Sequence, residues 1–147
     1  MKVLITGADG FFGKNLCAHL SQNKSITVLK FTRRDSVEML GSAMKEVDFI
    51  FHFAGINRPK NEIEFVRGNS DLTQILCTLI KDSDRKIPIV FSSSVQAGSF
   101  GSYGNSKRLA EQHLLSLRNQ IGNQLYIFRL PNVFGKWCKP NYNSVVA

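Results

Sequence analysis

The chain has few cysteines, few prolines and no long apolar run, and each shortage argues against a class of protein. Cys17, Cys77 and Cys138 are an odd number at wide spacing. They argue against a disulfide framework or a metal site and predict buried free thiols in a reducing compartment. No apolar stretch approaches the length that crosses a bilayer. Met1-Lys2 leads directly into Val3-Leu4-Ile5 and the glycine at position 7, so no secretory leader is expected and a cytoplasmic location is. No metal-ligand cluster, internal repeat or linker stands out. Basic charge, by contrast, is plentiful: 19 Lys and Arg against 11 Asp and Glu leave a net charge of +8. These cations are scattered from Lys2 to Lys139 in nothing longer than a pair such as Arg33-Arg34, without interleaved aromatics. Nucleic acid is therefore not the expected partner. A phosphate-rich small ligand would use some of the charge, and an acidic C-terminal part outside the 147 residues would balance the rest.

Hydrophobic residues make up 43% and charged residues 20%, the proportions of an ordinary globular protein. The length fits one domain over residues 1–147. Short apolar runs at Lys2–Thr6, Ile26–Thr32, Asp48–Ala54, Ile87–Ser92 and Gln124–Leu130 predict buried strands. Between them, helical spacing is expected over Phe11–Leu20, Ser36–Val47, Ile63–Lys81 and Tyr103–Asn119. In the third helix Phe65, Leu72, Ile75, Leu76 and Leu79 would face the core. Strict alternation of strand and helix predicts an α/β fold, a doubly wound parallel sheet of the Rossmann type. Ligands then bind beyond the carboxyl ends of the strands. About twenty residues separate Thr32 from His52, room for one crossover and no second strand. The expected strand order is 2-1-3-4-5.

Gly7-Ala8-Asp9-Gly10-Phe11-Phe12-Gly13 lies between the first strand and the first helix. Gly7 allows the tight turn, Gly10 lets backbone approach a pyrophosphate, and Gly13 lets helix and strand pack closely. The amides opening the helix then face the phosphates. An NAD site usually has an acid about twenty residues further on. Here that position holds Arg33, followed by Arg34. Two guanidiniums suit a 2′-phosphate, so NADP (NADPH) is favoured, while the adjacent Asp35 keeps NAD possible.

Tyr103-Gly104-Asn105-Ser106-Lys107 opens the last helix and sets Tyr103 and Lys107 one turn apart on one face. A neighbouring ammonium lowers a phenol's pKa and suits Tyr103 to exchange a proton with a sugar oxygen. Ser92-Ser93-Ser94 precedes this helix. Ser94 either holds a substrate carbonyl or only caps backbone groups. The Gly-x-x-Gly-x-x-Gly spacing, the Tyr103/Lys107 pair, His52-Phe53-Ala54-Gly55 and Arg129-Leu130-Pro131-Asn132-Val133-Phe134-Gly135 together resemble the extended short-chain dehydrogenase/reductase family over essentially the whole chain. The resemblance implies catalytic roles for Ser94, Tyr103 and Lys107, with Lys107 also binding the nicotinamide ribose. Asn69 matches the family's fourth catalytic residue, which supports the lysine through water; a structural role for a lone helical Asn is equally open. The resemblance further implies cofactor contacts from Gly7, Gly10, Phe11, Phe12, Gly13, Phe53, Ala54, Gly55, Pro131 and Asn132. His52 reads as a packed strand residue rather than a catalyst.

The 4,6-dehydratases of that family carry an Asp-Glu pair after the catalytic hydroxyl residue, whereas Ser94 is followed by Val95-Gln96. Arg33-Arg34 favours a reductase with exchangeable NADPH over an NAD-dependent nucleotide-sugar 4-epimerase. A catalytically silent NADP-binding module is the non-enzyme alternative. Ala54–Pro59, Ser92–Ala97 and Phe134–Ser144 look very like the N-terminal reductase domain of bifunctional capsule and O-antigen enzymes that make UDP-N-acetyl-L-fucosamine. That similarity implies NADPH-dependent reduction of a 4-keto UDP-sugar and a homodimer in the full-length form. The chain stops at Ala147, without the substrate domain and cupin of those enzymes, so C3 epimerisation does not carry over.

Overall fold

The computed structural model describes residues 1–56 and 65–138. Asn57, Arg58, Pro59, the expected helix start at Ile63 and the stretch Lys139–Ser144 lie outside the described residues. The apolar runs, rich in β-branched and aromatic residues, become strands β1 (Lys2–Thr6), β2 (Thr27–Phe31), β3 (Phe49–His52), β4 (Ile89–Ser94) and β5 (Leu125–Leu130). All neighbours pair in parallel in the order β2-β1-β3-β4-β5. The expected doubly wound α/β sheet and its order are found. The stretch between β2 and β3 forms the short helix α2 (Val37–Ala43), with no strand there.

The remaining helices are α1 (Phe11–Leu20), α3 (Leu72–Asp82) and α4 (Ser102–Ile121). A π-helical segment at Val66–Asp71 leads into α3, and a 3-10 turn, Val95–Gly98, follows β4. Among the described residues only α1 packs on one face of the sheet, where Leu16, Cys17 and Leu20 meet Val3, Ile5, Val28, Phe49 and Phe51. On the other face α2, α3 and α4 bring Leu40, Leu76, Ile80 and Leu114 onto Leu4, Ile50, Ile89 and Phe91. Among the described residues no helix covers β4 and β5 on the α1 side. Tyr126 and Phe128 there are 48% and 52% exposed.

One boundary is corrected. The fourth strand runs two residues later than read, so all three serines belong to it. Ser92, Ser93 and Ser94 pair with Phe128, Arg129 and Leu130, and this partnership overrides serine's weak strand preference. In α3 the expected Leu76 is fully buried, and Leu72 and Leu79 pack partly buried against the same core, joined by Thr73, Cys77 and Ile80. Of the three free thiols, Cys77 is buried while Cys17 and Cys138 are only half-buried.

Candidate functional site

Sheet register brings the candidate residues to one edge. Thr6, at the end of β1, stands opposite His52 on β3, and His52 opposite Phe91 on β4. The turn after β1 needs its glycines. Gly7 has φ 68°, and a Cβ there would lie 2.7 Å from the Ala54 amide nitrogen. At Gly13 a Cβ would overlap the Gly7 carbonyl oxygen and sit 2.5 Å from Ala8 Cα. Gly10 is the N-cap of α1 and donates its N–H to the Gly7 oxygen at 2.9 Å. The first-turn amides of Phe11, Phe12 and Gly13 lack acceptors within the helix, as at any helix start, and make an anion cradle.

Beyond β2, Arg33 and Arg34 are exposed. Asp35 is tied into its own turn. Its Oδ2 accepts from the Thr32 amide at 2.7 Å and the Thr32 hydroxyl at 2.8 Å. Those bonds, with the Arg34 charge, hold its carboxyl below the ordinary value.

Behind the cradle runs a fully bonded polar chain. The Ala54 amide donates to Thr6 Oγ1 at 3.1 Å, and Thr6 Oγ1 lies 2.7 Å from His52 Nδ1. His52 Nε2 lies 2.8 Å from Thr73 Oγ1, which donates to the Asn69 carbonyl at 2.6 Å. Because Thr73 spends its proton on that carbonyl, it accepts from His52, so Nε2 carries the hydrogen and Nδ1 accepts from Thr6. His52 is fully buried. Burial, aided by the Lys107 charge, pulls its pKa down to about 3. His52 is thus a packed strand residue, as expected.

Asn69 sits in the π segment, buried. Its Oδ1 accepts from the Ile56 amide at 2.9 Å, and its Nδ2 donates to the Ile56 carbonyl and to Ser106 Oγ, both at 3.0 Å. It therefore clamps the backbone just after Gly55. A Cβ on Gly55 would lie 2.6 Å from Asn69 Oδ1 and 3.3 Å from Lys107 Nζ. Lys107 Nζ donates to the Ser92 carbonyl at 3.0 Å and lies 5.0 Å from the centre of the Phe91 ring. Burial pulls the Lys107 pKa down to about 8, against the raising effect of Glu111.

Ser94 Oγ accepts from the Gln96 amide at 3.1 Å and caps the 3-10 turn, leaving its own O–H to donate. Tyr103 is half-buried in the first turn of α4, its ring 5.6 Å from that of Phe65. Phe53 packs on Phe12 and Phe51 on the α1 side. Pro131 and Asn132 are exposed beyond β5. The loop that follows is latched to α1, where Asn15 Nδ2 donates to the Lys136 carbonyl at 2.8 Å and the Phe11 carbonyl at 2.9 Å. Next to that latch, Lys136 Nζ lies 4.7 Å from the centre of the Trp137 ring.

Gly7, Ala54, Gly55, Asn69 and Lys107 thus meet at the ends of β1, β3 and β4, with Ser94 and Tyr103 on the segments that flank them. Arg33, Arg34, Pro131 and Asn132 stand apart, around the rim. Sequence reasoning missed Thr6, Asn15, Thr73, Ser93, Ser106 and Glu111. Of these, Glu111 had a signal, lying four residues after Lys107.

No helix among the described residues is long and apolar enough to cross a membrane. Residues 3–147 match the model of the NAD dependent epimerase/dehydratase family. The chain is 56% identical over 147 residues to UDP-2-acetamido-2,6-beta-L-arabino-hexul-4-ose reductase of Pseudomonas aeruginosa, covering all of this chain and 40% of that protein. The crystal structure of the capsular polysaccharide assembling protein CapF from Staphylococcus aureus superposes with a TM-score of 0.84 at 44% identity, over 99% of this chain and 39% of that one. UDP-glucuronic acid 4-epimerase from Bacillus cereus, in complex with NAD, shares the fold at 21% identity, with a TM-score of 0.81 over 92% of this chain and 58% of that one.

Proposed function

The chain belongs to the NAD dependent epimerase/dehydratase family, and from that premise we propose that it forms the cofactor-binding part of an NADPH-dependent reductase acting on a 4-keto UDP-sugar. Its relatives by name are a hexulose reductase and a capsular polysaccharide assembling protein, and we extend to this chain a part in surface-polysaccharide synthesis. One observation carries the chemistry: a buried Lys107 ammonium beside Gly55 and Asn69, one helical turn from Tyr103.

The residues fit a dinucleotide, because the inner wall of the glycine turn has no room for a Cβ at Gly7 or Gly13. A bound nicotinamide would supply the hydride. The amides opening α1 hold the pyrophosphate. Arg33 and Arg34 take the 2′-phosphate, next to Asp35, which Thr32 holds through one carboxylate oxygen. Lys107, held cationic at neutral pH, lowers the cost of a phenolate on Tyr103. Tyr103 gives its proton to the sugar C4 oxygen, and the Ser94 hydroxyl donates a hydrogen bond to that same oxygen.

Two measurements test the reading. Calorimetry on this chain should give tighter NADPH than NADH binding, and a double Arg33→Ala, Arg34→Ala variant should lose the difference. Equal affinities in the unaltered chain would remove the NADP assignment. In a form that carries the complete enzyme, Tyr103→Phe should lower ketosugar reduction by about 100-fold or more and leave NADPH affinity unchanged. Retained turnover would move the proton donor elsewhere.

A further inference from the structure

The second serine of the Ser92-Ser93-Ser94 run has no part in the chemistry above, yet it is bonded as firmly as its neighbours. Ser93 Oγ donates to Glu111 Oε1 at 2.5 Å. Arg129 on β5 donates to both Glu111 oxygens, from Nε at 2.9 Å and from its terminal nitrogen at 2.7 Å. Glu111 is buried, whereas the Arg129 side chain is half exposed. On α4, Glu111 follows Lys107 by four residues, the spacing that stacks two side chains on one face. The two buried groups grip adjacent residues of one strand: Lys107 holds the Ser92 carbonyl, and Glu111 holds the Ser93 hydroxyl.

We propose that Glu111, fixed by Ser93 and Arg129, is a positioning residue that keeps the Lys107 ammonium charged and seated for Tyr103. This rests on the reading of Tyr103 and Lys107 given above. A buried ammonium is destabilised unless a counter-charge stands near it. The charged and titratable groups facing Lys107 are few among the described residues. Glu111 and Tyr103 lie on its own helix. Across the sheet His52 is neutral, and Asn69 from the π segment is polar without charge. Glu111 is therefore the one anion in position to compensate. Burial pushes the Glu111 carboxyl up, but the hydrogen bonds from Arg129 and Ser93, with the charges of Arg129 and Lys107, outweigh it and keep it ionised. Arg129 fixes the geometry of the carboxylate with two hydrogen bonds.

Two variants then test the coupling. Glu111→Gln keeps the shape and removes the anion, so Lys107 should lose its proton about one pH unit lower. Arg129→Met removes the group that seats Glu111 and helps to hold it ionised, so Lys107 should shift in the same direction by a smaller amount. Both midpoints are read from the Lys107 Nζ resonance in isotope-labelled chain, a measurement that needs no turnover. In the complete enzyme, Glu111→Gln should lower ketosugar reduction several-fold at pH 8 but much less at pH 6, where the lysine stays protonated. The proposal is overturned by an unmoved midpoint in Glu111→Gln, by an upward shift in either variant, or by an equal loss at both pH values. If Tyr103→Phe stayed active while the Glu111→Gln midpoint moved down, the proton-donor assignment would fail and the electrostatic coupling would stand.

Discussion

His52 shows how one buried residue can tie together the elements that carry a site. Its ring joins β1 to the segment that carries Asn69, and it can do so only when neutral, because each partner's hydrogen is already assigned. The folded pKa of about 3 lies below the ordinary histidine value of 6.5. Above the higher value both states are neutral and the group contributes nothing to pH dependence. As pH falls below it, the unfolded chain takes up a proton that the folded chain refuses, so stability is lost towards pH 3 at about 1.4 kcal/mol per unit. Urea unfolding of the chain and of His52→Gln, followed from pH 7 to pH 4, checks this. The variant should be less stable at pH 7 yet have the shallower slope; parallel slopes would show that His52 does not titrate this way. Asp35 and Glu111, whose carboxyls are held low, lose stability in the acid range in both proteins and cancel from the comparison.

At the level of elements, the join between β1 and α1 is the least tolerant. A Cβ on Gly13 would press into two backbone groups, Gly7 O and Ala8 Cα, neither of which can swing aside. Gly13→Ala should therefore cost about 1–3 kcal/mol and abolish NADPH binding. A Cβ on Gly10 meets only the Gly7 oxygen, at 3.1 Å, so Gly10→Ala should cost less stability. Urea midpoints and calorimetry on both variants would show it, and equal losses would count against this account of the turn. These glycines were legible in the sequence because strand–turn–helix context and spacing are local. So was the missing strand between β2 and β3, since chain length alone limits the crossover. The π segment was not legible. Gly68-Asn69-Ser70-Asp71 is weak for any helix but does not single out a π turn; the wider turn leaves its mark in tertiary pairing, where Thr73 reaches His52 and Asn69 reaches Ile56. The same reason hid Ser93, Ser106 and Asn15, whose partners lie 18, 37 and 121 residues away.

Across the whole molecule the two faces of the sheet are unequally dressed. Among the described residues three helices pack on one face and α1 alone on the other, and Tyr126 and Phe128 stand on the α1 side of the outermost described strand. The chain spans 40% of the length of its Pseudomonas relative and 39% of the Staphylococcus structure. At high concentration this chain should self-associate through that apolar strip. Tyr126→Thr with Phe128→Thr should reduce the association in sedimentation runs. Each half-exposed ring supports little of the fold, so stability should change by no more than about 1 kcal/mol. Undiminished association would point to another surface.

The latched loop beyond β5 has a consequence for how the protein can be watched. Trp137 is the one tryptophan in the chain, and Asn15 ties its neighbour to the helix that opens the phosphate cradle. Any light the protein emits as indole fluorescence therefore comes from beside that cradle. The chain carries a built-in lamp at its own doorway, against which an arriving reduced nicotinamide would act as a shade.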